Sequence, residues 1–232
     1  MMRFLILISF ISAIFIESIW AIPSDFQAIY DANIKQAQGQ LRSELISNND
    51  DTYSFEMMTN ATGIWKMLAN GSVSEKSLFK IDKGALKSIQ YNLDNSIRNI
   101  KSEVLFDWKN NKIQGLYKER IINLSLEEQV IDRVLLQLQI INAIRENDDL
   151  KLITILDKDV LKNIVIKRGN ETEVIGVPFG KFDSIKIEHS KTDSEKINTL
   201  WLAKELDYIP VKLTQTENGR TTFTAELRDL IK

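Results

Sequence analysis

Cysteine is absent from this 232-residue chain, histidine occurs once, proline three times and glycine nine times. Without thiols there is no disulfide framework, no thiolate metal site and no cysteine nucleophile. One histidine without cysteine builds neither a structural zinc site nor a histidine-based metal triad. Few loops have the glycine needed to bring backbone N–H groups close to a phosphate, and neither a Gly-x-Gly-x-x-Gly fingerprint nor a Walker loop occurs. A Gly-x-Ser-x-Gly nucleophile elbow is missing as well. Charge of one sign is not in excess: 30 Lys+Arg face 32 Asp+Glu, a net −2, which excludes a broadly basic nucleic-acid binder. Cofactors and nucleic-acid partners are therefore not expected.

What remains has a globular balance, 44% apolar and 27% charged. The length fits one large domain or two small ones, and a chain of this size buries roughly 70–75% of its unfolded surface without staples. Met1-Met2-Arg3 gives a short positive start. Phe4 to Ile16 is then apolar except for Ser9 and Ser12, and Glu17 to Ala21 forms a more polar exit before Pro23. This is the pattern of a secretory signal peptide ending at Ala21. The competing reading is a retained anchor, but a span needs about 20 apolar residues and this run is shorter. No later segment is long or apolar enough to cross. The expectation is a signal at residues 1–21, a single β-rich domain over 22–232, and a periplasmic location.

Most of that domain reads with a period of two. Phe26, Ala28, Tyr30, Ala32 and Ile34 alternate with more polar neighbours, as in a strand with one dry face. Tyr53, Phe55 and Met57 follow the turn cluster Asn48–Asp51, and Val104, Phe106 and Trp108 mark another strand. Further strands are expected at Leu152–Leu156, Ile164–Lys167, Glu173–Val177, Ser184–Ile187, Leu200–Leu202, Val211–Thr216 and Thr222–Leu227. Lys83-Gly84, Asn110-Asn111, Gly169-Asn170 and Asn218-Gly219 read as turns, because Gly and Asn accept positive φ cheaply. One segment differs. From Ser125 to Arg145 the apolar residues Val130, Ile131, Val134, Leu135, Leu138, Ile141 and Ile144 follow a 3.6-residue stripe. Ser125 and Glu128 form a capping box, and Asn147-Asp148-Asp149 is a stop. This helix either closes one face of the core or forms a lid over an apolar cavity. Gly63–Ala69 reads equally well as a short helix or a strand. No linker, low-complexity tract or repeat interrupts the pattern.

Candidate chemistry is sparse. His189, just past a strand, reads as a solvated loop residue, and Asp157-Lys158-Asp159 and Asp148-Asp149 read as turn chemistry. The Asp-x-Asp-x-Asp-Gly frame of a calcium loop is missing. Four Asn-x-Ser/Thr sequons, at Asn60, Asn70, Asn123 and Asn170, read as chance in a Lys/Asn/Ile-rich bacterial composition. Aromatic residues carry more information. Core packing is their ordinary role. If the sheet curves, its concave face leaves some of them lining a groove; the candidate ligand-lining residues are Trp65, Phe79, Phe106, Trp108, Trp201 and Tyr208.

Several blocks stand in one register. They are Phe26-x-Ala28-x-Tyr30, Glu75-x-Ser77-x-Phe79, Gly84-x-Leu86 leading to Tyr91, Phe106-Asp107-Trp108, Val177-Pro178-Phe179-Gly180-Lys181-Phe182, Trp201-Leu202-Ala203 and Tyr208-Ile209-Pro210-Val211-Lys212. Together they resemble the bacterial exported family known as domain of unknown function 3108, over nearly all of the chain after the signal. The resemblance implies a periplasmic protein with a large curved antiparallel sheet, a half-barrel or open barrel similar to lipoprotein carriers, with a helix across the opening. It implies no catalytic residues. Asp107 reads as the holder of a turn, Pro210 as a strand start and Gly180 as a bend.

Three roles compete on these grounds. Foremost is a non-enzymatic protein that holds a lipid or other hydrophobic ligand in the concave face of its sheet. The others are an envelope assembly or scaffold factor that binds another protein, and a hydrolase. An empty, greasy interior favours the first and a packed interior the second.

Overall fold

The computed structural model describes residues 22–35, 37–68 and 71–232; the expected signal segment 1–21 lies outside them. The first half of the chain supplies β1 (Phe26–Ile34), β2 (Ala37–Ser47), β3 (Thr52–Ala61), a one-turn helix α1 (Trp65–Leu68), β4 (Ser72–Asp82), β5 (Ala85–Asn95), β6 (Ile100–Asp107), β7 (Lys112–Tyr117) and β8 (Arg120–Ser125). The second half supplies β9 (Val130–Asp132), helix α2 (Leu136–Arg145), β10 (Leu152–Asp157), β11 (Val160–Val177), β12 (Gly180–Lys191), β13 (Lys196–Ala203), β14 (Ile209–Glu217) and β15 (Arg220–Ile231).

All fifteen strands join one sheet in the order β8-β7-β6-β5-β4-β3-β2-β1-β15-β14-β13-β12-β11-β10-β9. Strands consecutive in sequence pair with each other except β8 and β9, which end the order at opposite edges, while β1 meets β15 and so brings the two ends of the described chain together mid-sheet. Every ladder is antiparallel apart from β9–β10. β1 shows why the sheet has an inside: Phe26, Ala28, Tyr30 and Ala32 are buried and the residues between them are not. Turn chemistry sets the hairpins. Lys83-Gly84 and Asn218-Gly219 carry consecutive positive φ values of 53°/81° and 52°/71°, as tight hairpins require.

The sheet is rolled. Arg120 at the start of β8 lies 2.8 Å from Asp159 in the β10–β11 turn, and Asp132 of β9 reaches Ser77 of β4 and Ser88 of β5. Among the described residues no ladder joins β8 to β9, so the roll is an open barrel rather than a closed one. Inside it lies a continuous apolar core that includes Tyr30, Phe55, Phe79, Tyr91 and Leu156. Tyr30 donates its hydroxyl to the Pro210 carbonyl at 2.9 Å, which pairs the one polar atom of a fully buried ring.

Helix α2 is shorter than its stripe predicts. Ser125 ends β8, Glu127 and Glu128 lie in a turn, and Val130–Asp132 is a strand, so the expected capping box does not form. The β-branched Val130 and Ile131 pair with Thr154 and Ile155, and burial on β10 outweighs their place in a helical period. The far end matches the expectation: Asn147 takes φ 53°, and the N–H groups of Asn147 and Asp148 donate to the carbonyls of Ile144 and Ala143, a Schellman stop. Eight of the ten residues of α2 are buried. A helix dry nearly all round belongs to a core; α2 fills much of the hollow that the sheet encloses.

Two further expectations change. Gly169-Asn170 is not a hairpin turn, since β11 runs through it with a bulge between Arg168 and Thr172. A Cβ on Gly169 would stand 3.2 Å from the Lys186 carbonyl oxygen, so the glycine serves a close strand approach instead. Beyond the bulge, the β11–β12 hairpin is anchored to β15 by the Phe179 N–H, which donates to the Leu227 carbonyl at 3.0 Å. His189 is not in a loop either: it lies within β12, opposite Ile166 of β11 and Asn198 of β13.

Candidate functional site

The segment from Asp132 to Gln137 crosses from the edge strand into α2, and one carboxylate fixes it. Oδ2 of Asp132 accepts the hydroxyls of Ser77 at 2.5 Å and Ser88 at 2.7 Å. Oδ1 accepts the N–H groups of Val134 and Leu135, both at 3.1 Å, and the Asp132 N–H donates to Ser88 Oγ at 2.9 Å. All three side chains are buried. Burial drives the Asp132 carboxyl up to about 6, against the downward pull of its four donors. Ser88 reaches this cluster through the β4–β5 bulge beside it. Its carbonyl takes the Trp108 indole N–H at 2.6 Å.

A chain of ion pairs follows on the next residue. Tyr91 donates to Glu75 Oε2 at 2.8 Å, and Arg133 Nε stands 3.1 Å from the same oxygen. Arg133 Nη1 lies 3.6 Å from Asp157 Oδ1, and Lys191 Nζ pairs with Asp157 Oδ2. Glu75 beside it holds the Arg133 guanidinium above its usual range, and burial pushes the Tyr91 phenol up.

Beside this chain opens a cleft of about 350 Å³ between the start of α2 and strands β10–β14. Its apolar lining comes from Leu136, Ile155, Ile164, Leu200, Leu213 and Phe223; its polar lining includes Arg133, Gln137, Asp157, His189, Lys191 and Lys196. Two buried nitrogens on this wall, Gln137 Nε2 and His189 Nδ1, have no hydrogen-bond partner. Burial brings the His189 imidazole down to about 4, so the ring is neutral at physiological pH. Unpaired buried polar groups are uncommon and costly. A larger hollow of about 1000 Å³ at the other end of α2, lined by Ile140, Ile144, Arg168 and Ile187, has none of these unpaired groups on its wall.

The six aromatic residues singled out by sequence do not assemble around the cleft; none of them lines it. Phe79 and Phe106 are core residues, Phe79 stacked on Tyr53 at 5.4 Å between centroids. Trp108 ties β6 to β5 through Ser88, with Lys87 Nζ 5.1 Å over its ring. Trp201 points to the face opposite the buried Leu200 and Leu202, where its indole donates to Glu173 of the β11–β12 hairpin at 2.9 Å. Tyr208 is half-buried against the core at φ 61°, and Trp65 is half-buried on α1. Asp107 does hold a turn, accepting from the N–H groups of Lys109 and Asn110.

Sequence reasoning passed over Asp132, Gln137 and Lys191 and placed His189 in solvent. The available signal was Asp132-Arg133, a charged pair set inside the apolar run Val130 to Leu138. Among the described residues no cluster of three or more His, Asp or Glu is arranged to hold a metal, and no helix is long and apolar enough to cross a membrane. Asp132, Ser77 and Ser88 stand off the lining of the cleft, so their contacts secure a chain segment rather than meet a substrate.

A rolled, open antiparallel sheet with a buried helix and a cleft beside that helix defines a barrel-like class of protein. The chain belongs to the family described as proteins of unknown function, DUF3108, whose model matches residues 26–228. Among solved structures it is similar to a beta-barrel-like protein of the DUF1849 family from Brucella abortus, at 11% identity and a TM-score of 0.59, covering 89% of this chain and 96% of that one. A Bacteroides fragilis protein with a YmcC-like fold aligns over 91% of this chain and 97% of its own, at 10% identity and a TM-score of 0.31. No curated protein matches the chain.

Proposed function

We propose that this is an exported periplasmic protein without catalytic activity that binds an amphipathic, lipid-like ligand in the cleft beside α2. One observation carries the reading: two buried nitrogens, Gln137 Nε2 and His189 Nδ1, stand unpaired on a wall that Leu136, Ile155, Ile164, Leu200, Leu213 and Phe223 line with hydrocarbon. Leaving such groups unsatisfied costs about 1–3 kcal/mol each, a cost that a ligand oxygen removes. The volume of about 350 Å³ lies at the small end of ligand pockets, and Leu200, Leu213 and Phe223 supply the greasy surface such pockets have. The helix fills much of the hollow, so the ligand enters beside it rather than filling the barrel.

The test is binding of a neutral naphthylamine probe followed by its fluorescence, with wild type against Leu213→Trp, which fills the cleft from β14. Wild type binds with enhanced emission; the filled variant keeps its circular dichroism and loses binding by about tenfold or more, the equivalent of about 1.4 kcal/mol. No binding by wild type, or equal binding by the filled variant, overturns the reading. A second reading, a scaffold that binds an envelope protein, has its own support in Leu105, Leu116 and Ile121, which are exposed on neighbouring strands β6, β7 and β8 with Leu116 directly opposite Ile121.

A further inference from the structure

We infer that the ligand's head group is an anion, a carboxylate or a phosphate, held at the mouth of the cleft by Arg133, Lys191 and the amide of Gln137; the inference rests on the cleft being the ligand site. Three cations, Arg133, Lys191 and Lys196, lie on the described lining with Asp157 as its one carboxylate; behind the lining Glu75 pairs with Arg133 at 3.1 Å and Glu217 with Lys196 at 3.5 Å, which leaves Lys191 held, among the described residues, by Asp157 alone. Asp157 is buried and already engaged on both oxygens, Oδ1 by Arg133 and Oδ2 by Lys191. It orients the two cations without exhausting them, because a guanidinium carries five N–H donors and an ammonium three.

Gln137 is 7% exposed, and its Nε2 is one of the unpaired buried nitrogens. Leu136 and Gln137 are also the first two residues of α2, so the positive end of a ten-residue helix lies at the same wall. His189 is neutral there and adds a hydrogen bond rather than a charge. A buried amide donor, a helix start and two oriented cations share the lining of one cleft with the hydrocarbon of Ile155, Ile164, Leu200 and Leu213. That arrangement selects an anionic oxygen group on an alkyl tail. A cationic head would meet Arg133 and Lys191, and a neutral alcohol would leave donors unmatched.

The experiment is displacement of the naphthylamine probe from the full chain by decanoate, decyl phosphate, decanol and decyltrimethylammonium. The two anions bind about tenfold or more tighter than the alcohol, and the cation binds weakest. The ratio of the two anions identifies carboxylate or phosphate as the favoured head. Gln137→Leu removes the buried amide without emptying the site, and Lys191→Met leaves Asp157 its pairing with Arg133. Each variant loses about tenfold in anion binding and less in decanol binding, so the anion-to-alcohol preference falls. Equal affinity for all four compounds overturns the inference and leaves the cleft assignment standing. Failure of all four, and of the probe, overturns both.

Discussion

Burial holds the Asp132 carboxyl up at about 6 and the His189 imidazole down at about 4, so the two groups tilt stability in opposite directions over one pH range. Between about pH 4 and 6 the folded state keeps a proton on Asp132 that the unfolded chain has released. That contribution is whole below the ordinary carboxyl range and disappears as the pH rises through 6, a loss of about 3 kcal/mol for a shift of about two units. For His189 the unfolded chain holds the proton between about pH 4 and 6.5 and the folded state does not, so stability is gained as the pH rises. Urea midpoints of wild type are therefore nearly level across this range. Asp132→Asn exposes the histidine slope, with stability rising with pH; His189→Gln exposes the opposite slope. At neutral pH, Asp132→Ala strands two serine hydroxyls and two backbone N–H groups and costs about 3 kcal/mol, well beyond the loss in Asp132→Asn, which keeps an acceptor. Parallel pH profiles for wild type and both single variants contradict this account. The type of each residue was plain in the sequence, but burial sets its role. An aspartate 55 residues from Ser77 and 44 from Ser88 gives no local sign that their hydroxyls meet it.

At the scale of elements, one glycine shows how closely the strands approach. A Cβ on Gly115 of β7 would stand 2.1 Å from the Glu103 carbonyl oxygen of β6, a backbone atom that cannot swing away. Gly115→Ala therefore parts β6 from β7 and costs about 2–4 kcal/mol, read as a lower urea midpoint together with faster amide exchange in Val104 and Phe106. An unchanged midpoint contradicts the close approach. Strands with one dry face were readable, because alternation is a local property and β1, β3 and β6 display it. The segment Val130–Leu135 was not, because its apolar spacing satisfies a strand and a helix alike and the partner strand β10 decides between them. Gly169-Asn170 misled in the same way: the pair that makes a hairpin turn also makes a bulge, and the choice depends on the neighbouring β12.

Over the whole molecule, β15 is the strand that completes the sheet, since it pairs with β14 on one side and with β1 on the other. The first described strand, already paired with β2, thus gains its second neighbour only when the last has been made. Such distant pairing makes folding slow, in the millisecond-to-second range of β-rich topologies. A chain ending at Gly219 lacks the partner of both strands and leaves Ala28, Tyr30 and Val211 uncovered. It is expected to show no cooperative unfolding transition by circular dichroism, and a sharp transition in that shortened chain would contradict this reading of the topology.

By itself the sequence determined that the chain is mainly β, that hairpins close at Lys83-Gly84 and Asn218-Gly219, that a helix ends near Asn147, and that thiol chemistry is excluded. Each follows from residue type and short-range period, which need no distant partner. Only the tertiary structure decided how far α2 extends, where Trp201 faces and which side chains surround the cleft. The aromatic residues chosen for the groove were large enough to be drawn into packing, Phe79 and Phe106 in the core and Trp108 and Trp201 at strand junctions. The cleft wall falls instead to Gln137, His189 and Lys191, whose types are ordinary on any surface. Rolling the sheet brings them face to face, and that curvature arises from contacts between residues far apart in the chain.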